Sequence, residues 1–131
     1  LLGLASLQGQ SLEFSHGAYL KSQGTFYAYD ILDKMRANRV VAIGGSYNAT
    51  YASTGTDKGC YADTGHCSAT DMALHDNFDW KQLMTSLRGG NGSVVSFPSA
   101  TTTEFEVTVS WDDANSADGS GRESITVRSE L

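Results

Sequence analysis

A chain of 131 residues has room for one domain with a real core. With 15 acidic against nine basic residues and a net charge of −6, it lacks the footprint of a protein whose main partner is nucleic acid or an anionic membrane surface. Its 40% apolar content and 14 glycines point to a loop-rich exported protein, and no apolar run reaches the roughly 18 residues of a membrane-spanning helix.

The first 39 residues, Leu1–Arg39, contain no proline. Phe14, Ala18, Thr25, Ala28, Ile31, Leu32 and Met35 recur at helical spacing, the last four most regularly. Lys34, Arg36 and Arg39 crowd the end, where the helix dipole favours positive charge. As one helix this stretch would run about 58 Å at about 1.5 Å per residue. A compact chain of this size is only roughly 36 Å across, so the helix must protrude or break. Its start, Leu1-Leu2-Gly3-Leu4-Ala5-Ser6-Leu7, is apolar on every face, a surface not normally left in water. Two readings stay open. Either the helix bends at Gly9 or Gly17 and buries the leucines, or Leu1–Leu7 is the tail of a longer apolar segment from a membrane or helix bundle. The missing initiator methionine favours the second. Gly17 and Gly24, seven apart, share a helix face that either admits another backbone or faces the chain's own sheet.

Val40-Val41-Ala42-Ile43 continues as residual helix or short strand until Gly44-Gly45 stops it. Ser46–Gly59 has no periodicity and reads as an irregular connection, pinned at its far end by the cysteine loop. Cys60 and Cys67 bracket that short Gly-bearing loop and predict a disulfide, hence an oxidising compartment. A metal site using both thiolates with His66 and His75 is the rival, but the usual short zinc spacing is absent. Ser68 and Asp71 have the spacing of a capping box and open a second helix. Ala73, Trp80, Leu83, Met84 and Leu87 trace its buried face, Gly89-Gly90 ends it, and Asp71, His75, Asp76 and Asp79 read as its solvated face.

Beyond Gly92 the period becomes two. Val95 and Phe97 alternate with polar neighbours up to Pro98, then Phe105, Val107, Val109 and Trp111, then Ile125, Val127 and Leu131. Turn-forming residues fill Asp112–Gly121. The expectation is an α+β fold in a single domain over 1–131. The long helix over 1–39 covers an antiparallel sheet over 93–131, and 40–92 supplies the connection, disulfide loop and second helix.

Chemistry is harder to find. His16, His66 and His75 join no nucleophile elbow, HExxH, P-loop or dinucleotide fingerprint, so neither a catalytic site nor a cofactor is expected. The acidic loop Asp112–Gly119 fails the EF-hand pattern, because Ala114 and Ser116 stand where the first and third ligands belong. Weaker calcium binding there stays open, as does a secreted glycan- or calcium-binding module using the six tyrosines.

Several segments in fixed order carry a family resemblance. These are Gly3-Leu4-Ala5-Ser6-Leu7-Gln8, Met35-Arg36-Ala37-Asn38-Arg39, Cys67-Ser68, Asp71-Met72-Ala73, Asp76, Trp80, Leu83, Leu87, Gly90, Gly92 and Val107-Thr108-Val109-Ser110-Trp111. Together they resemble the type IV pilus minor pilins of the PilV kind. Arg88-Gly89 departs from an expected Leu-Pro, and the family's leader, methylated first residue and early glutamate have no counterpart here. The resemblance implies a pilin-like fold and a structural subunit without cofactor or small-molecule substrate. Such a subunit is held in the inner membrane facing the periplasm and then built into the pilus. It would prime assembly in a tip complex with other minor pilins, the major pilin and a tip adhesin. Leu1, Leu2, Leu4 and Leu7 would pack in the filament core, and Tyr47, Tyr51, Tyr61, Asp113 and Asp118 would meet adjacent subunits. A type II secretion pseudopilin is the nearest alternative.

Overall fold

The computed structural model describes residues 2–62 and 66–131. Its elements are α1 (Leu2–Ala37), α2 (Arg39–Ile43), α3 (Ala69–Met84), β1 (Asn91–Pro98), β2 (Thr103–Asp112) and β3 (Arg122–Glu130). The fold is α+β: a long helix, a second helix, and a three-stranded antiparallel sheet in the order β1-β2-β3. No helix among the described residues is long and apolar enough to cross a membrane.

α1 runs unbroken for 36 residues, about 54 Å at about 1.5 Å per residue. The helix is not interrupted at Gly9 or Gly17, where one of the two readings placed a bend. Nothing lies within 4 Å of a Cβ built at either position, so no neighbour calls for one. Cover begins at Leu20, half-buried against the core, and is close by Gly24, where an added Cβ would sit 2.6 Å from the Trp111 ring. From there Ala28, Ile31, Leu32 and Met35 lose all exposure at the expected spacing, whereas Leu12 and Tyr19 remain 72% and 59% exposed. The second half of α1 is core; the first half extends past the head. Leu1 and the side chains of Leu2, Leu4, Leu7 and Phe14 lie outside the described residues.

α2 is one short helical turn, and Gly44 and Gly45 end it as expected, with Gly44 N–H donating to Val40 O. α3 opens where the capping pattern places it, Ser68 Oγ accepting from the Asp71 N–H at 3.1 Å. Trp80 is fully buried and donates its Nε1–H to Tyr27 O at 2.8 Å, tying α3 to α1. Two expectations for α3 fail. Leu83 is 41% exposed, and the core place beside it belongs to Met84. Of the expected solvated face, Asp71 and Asp79 are half-exposed, but His75 and Asp76 are buried, because residues 47–61 fold over them.

In the sheet Val107 sits between Val94 of β1 and Val127 of β3, and Val109 pairs with Ile125. Phe105, Val107, Val109 and Trp111 fill the inner face, with Ile125, Val127 and Leu131 half-buried at its β3 side. β1 has the opposite phase to the one its sequence suggests. Val94 points inward, and Val95 and Phe97 point out, 43% and 48% exposed. Gly92 sets this phase by lying beneath the Trp80 ring, and the Ala49–Val94 bridge reinforces it. On the outer face Phe97 has the Arg128 guanidinium 5.9 Å from its ring centre.

Cys60 and Cys67 form a disulfide. Reducing it, or making Cys60→Ser with Cys67→Ser, is expected to remove about 2.5 kcal/mol through loop-closure entropy. Urea unfolding with and without reductant measures this. The fold itself should survive, because the loop has other ties.

Candidate functional site

The densest polar cluster lies where residues 47–61 cross α3. Asp76, 3% exposed, is its centre. Its Oδ2 accepts from Tyr47 OH at 2.5 Å and its Oδ1 from Tyr61 OH at 2.7 Å. Asn38 Nδ2 donates to Tyr47 OH and to Ala69 O, closing the cluster against the end of α1. Burial, and then the hydrogen bond to Asp76, push the Tyr61 phenol up to about 12, and the same causes raise Tyr47. Burial alone would lower the Lys34 ammonium. The hydrogen bond to Asp79 at 2.8 Å and the charge of Asp30 at 3.4 Å outweigh it and hold the amine above its ordinary value.

His75 Nδ1 accepts the Lys58 N–H at 3.1 Å, so this is the unprotonated ring nitrogen. Asp57, 3.3 Å from the same atom, therefore makes no ion pair with it in that tautomer. Tyr61 stands edge-on to the imidazole at 4.4 Å. Thr56 N–H donates to Leu74 O, and Gly55 lies directly on the Phe78 backbone. Carboxylate, phenols and imidazole thus bond to one another and to this strap of chain. The arrangement fastens the strap. Among the described residues no group of three or more His, Cys, Asp or Glu could hold a metal ion; His16 and His66 are exposed, whereas His75 is buried.

The structure sorts the expected contact residues. Tyr47 has no exposed surface, so it cannot meet a neighbouring subunit; its hydroxyl belongs to Asp76. Tyr51 and Tyr61 are 48% and 57% exposed, although the Tyr61 hydroxyl points inward. Asp113 and Asp118 lie in the β2–β3 loop and cap its own backbone, accepting from Asn115 N–H and Ser120 N–H, both at 2.9 Å. Hydrogen bonds from Ser120 hold the Asp118 carboxyl below its ordinary range. Arg122 staples the base of this loop through Asp112, Gly89 O and Ser110.

One surface escaped sequence reasoning. Leu12, Tyr19 and Phe26 are 72%, 59% and 65% exposed and succeed one another at seven-residue intervals along α1. Their spacing was the available signal, and it is that of a seam between packed helices. Two open grooves flank α1 where it leaves the head. One, about 570 Å³, is lined by Gly17, Ala18 and Lys21 with Asn115 and Ala117 opposite. The other, about 630 Å³, runs between His16, Tyr19 and Gln23 and the Arg88 and Asp112 region.

Comparison with family models, with curated proteins and with solved structures finds no match for this chain.

Proposed function

We propose that this protein is a structural subunit of a type IV pilus, a minor pilin of the PilV kind with a pilin-like fold. It would be presented from the inner membrane on the periplasmic side, then incorporated at the pilus tip. Its partners there would be other minor pilins, the major pilin and a tip adhesin. The observation that carries the reading is the division of α1. One face of the helix is packed against the core from Leu20 onward, yet Leu12 and Tyr19 are presented to solvent, in line with Phe26. An isolated apolar stripe on a projecting helix gains stability only by packing against other helices. A filament subunit has such companions.

The test is Leu12→Glu with Tyr19→Glu. Neither side chain touches the core, so the circular dichroism and thermal midpoint of the head should not change. Co-purification with other minor pilins should fall at least tenfold, as expected for about 1.4 kcal/mol or more of lost packing, and surface piliation should drop. Unchanged piliation and unchanged co-purification overturn the reading. If protein secretion fails while pili persist, the subunit belongs to a type II secretion system instead.

A further inference from the structure

Lys81 is a half-buried cation without a carboxylate partner in its hydrogen bonds. Its Nζ donates to Thr50 O at 2.8 Å, Asn91 Oδ1 at 2.8 Å and Gly92 O at 2.6 Å. An ammonium has three protons, so all of them go to neutral oxygens. Burial accordingly draws the amine down to about 8.

The Asn91 carboxamide receives a second donor. Gly92 N–H points at Oδ1 from 2.7 Å. The amide orientation is fixed from both sides, because Nδ2 donates to Tyr51 O at 2.9 Å. A backbone nitrogen therefore lies beside a carboxamide whose oxygen is polarised by a cation. Asn91 is also the one asparagine of the chain with glycine after it; Arg39, Ala49, Phe78 and Ser116 come after the others. A side chain on the next residue obstructs ring closure, and glycine removes that obstacle.

We propose that Asn91–Gly92 is a self-modification site. The Gly92 nitrogen attacks the Asn91 carboxamide carbon while Lys81 holds the developing oxyanion, and hydrolysis leaves an acidic residue at 91. The Gly92 N–H turns from Oδ1, hydroxide takes its proton, and the nitrogen bonds to Cγ. The tetrahedral oxyanion on Oδ1 forms against the Lys81 ammonium. It collapses by breaking the Cγ–Nδ2 bond, and Nδ2 leaves as ammonia with a proton from water. Water then opens the five-membered imide at either carbonyl, giving aspartate or isoaspartate. One water is consumed and one ammonia released, with no change of oxidation state. The product carboxylate supplies Lys81 with a counter-ion. Its second oxygen faces the Tyr51 carbonyl where an N–H donor stood, so Tyr51 loses this hydrogen bond to β1.

The protein is held in mildly alkaline buffer and its peptides are mapped by mass spectrometry over time. Asn91 should gain the mass of an amide-to-acid exchange several-fold faster than Asn115, which lies in the exposed β2–β3 loop. Lys81→Met should slow the conversion by about tenfold, less than the loss of an oxyanion donor in an enzyme, and Lys81→Arg should retain most of it. Wild-type protein unfolded in denaturant should convert no faster than the folded form, a comparison that stands even if Lys81→Met misfolds. Four results overturn the proposal: Asn91 intact after Asn115 has converted, faster conversion in the unfolded chain than in the fold, an unchanged rate in Lys81→Met, or a covalent Lys81–Asn91 cross-link, which would make the lysine the nucleophile.

Discussion

Asp76→Ala is expected to lower the stability of the head by about 3 to 4 kcal/mol, since it removes two hydrogen bonds to a buried charge. For a chain of this size that is a fall of roughly 10 °C or more in thermal midpoint. The damage is not confined to one residue. Tyr47, with no exposed surface, keeps the Asn38 donor and the Lys34 carbonyl at 3.5 Å beside its hydroxyl, and Tyr61 loses its hydrogen bond to α3. Asp76→Asn, which can still accept one phenol proton, should cost less. The same variants change the alkaline limb of stability. Tyr61 ionises near 12 in the fold against 10.0 in the free side chain. A raised phenol favours the folded state below the unfolded value, and that contribution disappears as pH climbs from about 10 to about 12. Wild type should lose stability across that window, and Asp76→Ala should have less to lose. Phenolate absorbance during alkaline titration, with urea unfolding on either side of the window, measures both effects.

Gly55→Ala should be nearly as costly and more local. The residue has a φ of +68°, and a Cβ there would stand 2.2 Å from Phe78 N and 2.7 Å from Phe78 Cα. Both obstacles are backbone and cannot swing aside. Left-handed strain and overpacking together cost about 3 kcal/mol. Gly59→Ala is the matched control. It has almost the same φ, +65°, but open space around the new methyl, so only the strain of about 1 to 2 kcal/mol remains. Hydrogen exchange should locate the injury. The Thr56 and Lys58 amides, which bond to Leu74 O and His75 Nδ1, should exchange faster in Gly55→Ala, and amides of the β2–β3 ladder should not. Equal losses in the two variants would mean that the strap does not depend on this close approach.

The elements that obey a local rule are legible in the sequence. The Ser68–Asp71 cap starts α3, the two-residue alternation of Phe105–Trp111 marks the inner face of β2, and the cysteine spacing gives the disulfide. β1 misleads because Val94 and Val95 are adjacent and Phe97 weights the wrong phase. The residue that decides is Gly92, through its fit under Trp80, a contact made across the fold. The polar face of α3 misleads for a similar reason. Nothing between His75 and Asp79 announces that a segment some twenty residues upstream will cover it. Tyr47 looks like a surface residue because the carboxylate that claims it sits on another element. Asn91 and Lys81 draw no notice alone, since neither residue type is unusual; their meaning lies in a distance of 2.8 Å.

The place where α1 meets the head has a mechanical consequence. Gly24 lets the helix settle onto Trp111, and Tyr27, held by Trp80, comes one turn later. Tension applied at the projecting end therefore arrives along the helix axis and is shared at once by contacts with α3 and with the sheet. It loads them in shear, all together, and does not peel strands off one by one. A head gripped in this way resists being drawn out by its own handle.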